Sequence, residues 1–139
     1  MKELKIATGV ETYKLNDSVE FSFNPTDGVF MEKLFNAYDT LDKRQESYKA
    51  EVEKTAGKRE LFDVARKLDG EMREIINDAF GFDICGGLFG GLNVYALADG
   101  LPLWANLLLA IMDEMDETMV REKKAINPRI AKYTKKYHR

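Results

Sequence analysis

Cysteine, histidine and proline are scarce in this chain, with one, one and three copies, and its last 17 positions contain no acidic residue at all. A single thiol, Cys85, excludes an intramolecular disulfide and any cysteine-based metal cluster. The expected place for Cys85 is the core, as a small apolar group, with a reactive thiol as the alternative. The lone histidine, His138, sits one residue from the end, where chains are usually poorly ordered. A Ser–His–Asp or Cys–His nucleophilic centre therefore has no credible base. Long hydrophobic runs are also missing. The longest, Leu101 to Met112, is interrupted by Asn106 and runs into Asp113 and Glu114, too short and too acidic to cross a bilayer. The first fifteen residues have neither an apolar signal region nor a cleavage pattern, so a cytoplasmic location is expected.

What is present suits a folded protein. With 139 residues, 45% hydrophobic and 11% aromatic, the chain is long enough to bury one core without disulfides or metal. The net charge of −3 conceals a strong polarity. Seven cations lie in residues 123–139, leaving 14 basic groups against all 24 acids in residues 1–122, a net of −10. A cationic segment on an anionic body reads as an electrostatic docking arm for an acidic partner, a nucleic acid or a neighbouring subunit.

Periodicity predicts an α+β fold, mostly α, with a small N-terminal antiparallel β-sheet followed by a helical bundle. Residues 1–122 read as one globular domain and 123–139 as a basic C-terminal segment able to form a short helix. Across residues 3–23, β-branched and aromatic side chains alternate with polar ones in Glu11–Leu15 and Val19–Phe23, which predicts two or three strands with turns at Thr8-Gly9 and Asn16-Asp17. Asn24-Pro25-Thr26-Asp27 then signals a helix over about 27–55. Its apolar stripe includes Phe30, Leu34, Tyr38, Leu41, Tyr48 and Val52. Gln45 interrupts that stripe, as expected where a helix protrudes, frays or meets another subunit. A second helix is expected over 58–80, ended by Gly81 and antiparallel to the first. The interior Gly70 suggests close approach of a neighbouring helix. Six glycines then punctuate residues 81–100, predicting tight turns and one or two short helices. They lack the Gly-Lys-Ser/Thr ending of a phosphate loop. The strongest helix is expected over 102–124, after Pro102.

Acid pairs at helical spacing, Glu71 with Glu74 and Asp113 with Asp116 and Glu117, have the arrangement that binds Mg²⁺ when two such pairs face each other, as in all-helical nucleotide pyrophosphohydrolases. Solvated helix faces explain them better, and neither catalytic residue, cofactor, metal nor small-molecule substrate is assigned. The candidate partner-binding residues are two sets. Met112, Met115 and Met119 form a helical stripe, read either as core or as an adaptable groove for an apolar partner helix. Arg129, Lys132, Tyr133, Lys135, Lys136 and Tyr137 combine cations with aromatics, a composition also found in single-strand nucleic-acid binders, although an acidic body repels phosphate.

Three segments carry a resemblance: Asn24-Pro25-Thr26-Asp27, the run Asn93 to Pro102 (NVYALADGLP), and the ending Asn127 to Tyr137 (NPRIAKYTKKY). With them the chain resembles small phage and prophage proteins of Gram-positive bacteria, in particular tail assembly chaperones. The resemblance implies a non-enzymatic protein that binds the tape measure protein during tail assembly, helps recruit tail tube protein, and is absent from the finished particle; a homo-oligomer is a further expectation. The resemblance also implies a second, longer product made by frameshifting near Arg139. The alternatives are a minor tail or connector component that stays in the virion, and a nucleic-acid-binding regulator that uses the basic C-terminus.

Overall fold

The computed structural model describes residues 1–137, with side chains through Lys132. The fold is α+β and mostly helical. Strands β1 (Glu11–Leu15) and β2 (Val19–Phe23) form an antiparallel hairpin in which Tyr13 pairs with Phe21 and Leu15 with Val19. Asn16 and Asp17 both take positive φ, 50° and 58°, the primed turn whose twist matches paired strands. Ser18 N–H closes it onto the Leu15 carbonyl at 3.1 Å. One face carries Tyr13, Leu15, Val19, Phe21 and Phe23 into the core, while Thr12 and Ser22 hydrogen-bond across the other at 2.7 Å. Among the described residues no third strand joins this sheet. Residues 1–10 are exposed and outside any sheet, so the expected start of strand structure at residue 3 is corrected to Glu11. Leu4, Ile6 and Val10 alternate as a strand would, but this segment is held by a side chain, the Asn24 amide donating to the Thr8 carbonyl at 2.7 Å, rather than by strand pairing.

Helix α1 (Gly28–Lys54) starts where Asp27 accepts a hydrogen bond from Val29 N–H at 2.9 Å, the usual satisfaction of a free first-turn donor. Helix α2 (Lys58–Phe80) runs back against it. Arg44 bonds Glu71 at 3.1 Å near the middle, and Phe30 packs on Phe80 at the far end with ring centroids 5.8 Å apart. Gly81, at φ 84°, terminates α2 in the left-handed conformation. Gly70 meets nothing within 4 Å, so the close approach expected there is absent.

The glycine-rich stretch folds into a short helix α3 (Ile84–Phe89) and a minimal hairpin, β3 (Leu97–Ala98) and β4 (Leu101–Pro102), joined by Asp99 and Gly100 at positive φ. Gly87 has a packing reason: a Cβ there would lie 2.7 Å from Val19 Cγ2, so α3 sits directly on β2. Helix α4 (Leu103–Lys124) supplies the middle of the core through Trp104, Leu107, Leu108, Ile111 and Met115. Helix α5 (Pro128–Tyr137) follows after a short link. No helix among the described residues is long and apolar enough to cross a membrane.

Burial along α1 does thin at Gln45, since no residue of the helix after Leu41 is fully buried, yet Gln45 itself has a core partner. Its Oε1 accepts from the indole Nε1–H of the buried Trp104 at 2.8 Å, and the Tyr38 ring meets that indole edge-on at 5.5 Å. Beyond it, Tyr48 stacks on Tyr95 with centroids 3.8 Å apart and rings nearly parallel, which ties the later half of α1 to the body although no residue there is fully buried.

Candidate functional site

Five of the eight phenylalanines gather where β2, the start of α1 and the end of α2 meet. Phe21 lies at the middle, with centroids 5.1 Å from Phe23, 5.6 Å from Phe30, 5.2 Å from Phe80 and 5.7 Å from Phe82. The local chain explains the convergence. Strand alternation puts Phe21 and Phe23 on the same face, Asp27 starts α1 so that Phe30 falls in its first turn, and Gly81 reverses α2 so that Phe82 folds back onto Phe21. The cluster is open on one side. A cleft of about 360 Å³ is lined by Val10, Phe21, Val29, Phe30, Phe80 and Lys33. Val29 in its lining is 67% exposed, and Phe82, which stacks on Phe21, is 38% exposed. The cleft lining also carries Asp27, Lys33 and Asp78, so it pairs an apolar aromatic floor, the kind of surface an apolar anchor of a partner protein uses, with a charged rim.

The methionine stripe is divided between core and edge. Met115 is 2% exposed and belongs to the core, so it is unavailable as a groove residue. Met112 and Met119 are half-buried at the edges of α4. The reason is angular: Trp104, Leu107, Leu108, Ile111, Met115 and Thr118 fill the buried sector, and positions 112 and 119 fall outside it. The methionines therefore do not form one continuous exposed surface.

Every described side chain from Arg121 to Lys132 is exposed, including Ile126 and Ile130, and Asn127 Oδ1 caps α5 by accepting from Arg129 N–H at 2.9 Å. Ile130 is 73% exposed. The side chains of Tyr133, Lys135, Lys136 and Tyr137 lie outside those described.

The acid pairs do not converge. Glu71 is tied to Arg44, Asp113, Asp116 and Glu117 are exposed on α4, and among the described residues no group of three or more metal-ligating side chains has metal-binding geometry. A second cleft, of about 430 Å³ between α1 and α2, balances Arg44 and Lys67 against Glu51 and Glu71 over the Tyr95 ring. Burial pushes the Tyr95 hydroxyl up to about 12, with the nearby Arg44 charge opposing the rise. Burial likewise pushes the Cys85 thiol up to about 12. That residue is fully enclosed, the opposite of an activated nucleophile.

A polar row on α2 organises the glycine-rich region. Asp69 accepts from Val94 N–H at 2.7 Å and pairs with Arg73 at 3.0 Å. Arg73 in turn donates to the carbonyls of Gly90 and Leu92. One turn on, Asn77 donates to Asp83 at 2.9 Å and accepts from Cys85 N–H at 3.1 Å. Spaced by four residues, these side chains share one helix face and satisfy backbone groups of a segment with little regular structure. No family model, curated protein or solved structure matches this chain.

Proposed function

We propose that the protein is a non-enzymatic, cytoplasmic binding factor that holds an apolar segment of a protein partner in the aromatic cleft. The observation that carries this reading is the half-open phenylalanine cluster, because exposed Val29 and Phe82 extend a core-like aromatic surface to solvent. An amphipathic partner helix placing one large apolar residue in the cleft would bury that surface and leave the polar hairpin face in water. The resemblance to phage tail assembly chaperones supplies the partner class. A tape measure protein is a long helical chain with apolar stripes that need covering until tube subunits assemble around it.

Co-expression tests this. The tape measure protein of the same gene cluster is expected to stay soluble with the wild-type chain and to precipitate with the Val29→Glu, Phe82→Glu variant, whose substitutions lie at exposed positions. Precipitation with both would remove the holding role. Mass spectrometry of purified particles separates the reading from its structural rival: a chain present in the virion in stoichiometric amounts is a tail or connector component instead.

A further inference from the structure

We infer that the N-terminal segment adds as a third strand to the free edge of β1 in a second copy of this chain, so that two hairpins join into one sheet. The fold leaves both a donor and an acceptor unused. The acceptor is β1, which pairs with β2 on one side and, among the described residues, with no strand on the other. A two-stranded sheet with such an edge is a template for a further strand. The donor is residues 2–8, which run without helix, turn or bend and leave Leu4 83% and Ile6 79% exposed.

The segment is directed away from its own β1 edge. Pairing there needs a reversal before Glu11, and residues 1–10 contain none. A joint at the end of β2 holds the segment instead. Asn24 follows Phe23, the partner of Glu11, and its side-chain amide donates to the Thr8 carbonyl at 2.7 Å. The Asn24 oxygen is fixed in turn, accepting from Thr26 N–H at 2.7 Å and the Thr26 hydroxyl at 2.8 Å. Gly9, at φ 72°, belongs to this joint, since a Cβ there would lie 2.7 Å from the Asn24 amide nitrogen.

A second copy is selected because this stretch is self-complementary when antiparallel. Setting residue 2 opposite 15 and 6 opposite 11 places Leu4 beside Tyr13, lengthening the core-side row of Tyr13 and Phe21. On the solvent side it places Glu3 beside Lys14, giving a row Glu3, Lys14, Glu20 of alternating sign. Lys14 lies 3.6 Å from Asp17, yet its side chain stays 62% exposed and open to Glu3. Only slips of two residues keep the apolar sides matched. One such slip sets Lys5 against Lys14, and the other sets Leu4 against Glu11. The apolar positions are even-numbered before Gly9 and odd-numbered in β1, a shift that the left-handed φ of a glycine bulge accommodates. Exchanging the copies reproduces the same pairing, so a single two-fold axis between residues 8 and 9 makes both contacts and the assembly closes as a dimer. None of the paired residues lines the aromatic cleft, so the inference does not depend on what that cleft holds.

Light scattering and cysteine cross-linking on the full chain test this. The wild-type chain is expected to be a dimer that dissociates on dilution. In the Leu4→Pro, Lys5→Pro variant consecutive prolines remove edge donors on both sides of the segment, and the dissociation constant is expected to rise about tenfold or more. Both positions are exposed, so the rest of the fold is untouched. Native Cys85 is fully enclosed, and Lys5 falls opposite Thr12, so a Lys5→Cys chain mixed with a Thr12→Cys chain is expected to give a disulfide-linked pair. A wild-type monomer, or a dimer indifferent to the prolines, would overturn the inference. So would a chain carrying both cysteines that links within itself, which would put the segment on its own β1. A Lys5→Cys chain that links to itself in preference to the Thr12→Cys chain would also overturn it, by pairing the two N-terminal segments with each other.

Discussion

Removing the Gln45 acceptor tests the account of α1 most sharply. Trp104 is 2% exposed and its indole N–H has one recorded partner, Gln45 Oε1 at 2.8 Å. Gln45→Leu keeps roughly the same bulk while stranding that donor, a loss of about 1–3 kcal/mol. Trp104→Phe removes the donor itself and leaves a smaller ring, costing about 2–4 kcal/mol through lost packing. In that background Gln45→Leu no longer strands anything, so its cost should shrink to near zero, a coupling of about 1–3 kcal/mol between the two sites. Urea unfolding followed by far-UV circular dichroism gives all four stabilities, and unchanged slopes would show that only stability moved. Because Trp104 is the only tryptophan, its fluorescence reports the same pocket independently wherever it is retained. If Gln45→Leu costs as much without the indole as with it, the hydrogen bond is not what Gln45 contributes, and a role at a subunit contact returns to consideration.

Further predictions follow from single contacts. Gly70→Ala should stabilise the protein by about 1 kcal/mol, since a methyl there meets nothing and alanine is the better helix former. Gly87→Ala should destabilise it by about 1–3 kcal/mol because the added carbon presses on Val19; thermal melts that shift both variants the same way would contradict this contrast. Asp69→Ala leaves Val94 N–H without its acceptor and Arg73 with only its two carbonyl partners, and should cost about 2–4 kcal/mol, with hydrogen exchange accelerated in residues 90–96; unchanged exchange there would remove Asp69 from its organising role. Cys85 is held neutral up to about pH 12 in the fold but ionises near 9 when unfolded. The unfolded state therefore binds fewer protons in that window, and stability falls as pH rises from 9 to 12; Cys85→Ala should flatten part of that fall, and an identical pH profile would refute it.

The helices were legible where the burial pattern repeats. In α2 and α4 apolar residues return every three or four positions, and Gly81 and Pro102 punctuate them, so element type and limits could be read directly. Gln45 shows where such reading stops: its partner lies 59 positions away, and nothing local distinguishes a polar residue awaiting a core indole from one facing a subunit. Arg73 was hidden in the same way, since on a helix rich in charges it reads as a solvated side chain, yet its guanidinium holds two loop carbonyls. At residues 1–10 the alternation was real but a strand also requires a neighbour, and none is there. The aromatic cleft left one usable signal, the density of phenylalanine at 21–30 and again at 80–82 flanking Gly81. Only the antiparallel run of α1 and α2 brings those two groups together.

Calorimetric titration of the tape measure protein's soluble helical fragments into the wild-type chain, and into the Val29→Glu, Phe82→Glu variant, tests the holding role most directly. The account predicts binding by the wild-type chain and an affinity reduced about tenfold or more in the variant, equivalent to at least about 1.4 kcal/mol. No binding by the wild-type chain, or equal affinity in both, would contradict it.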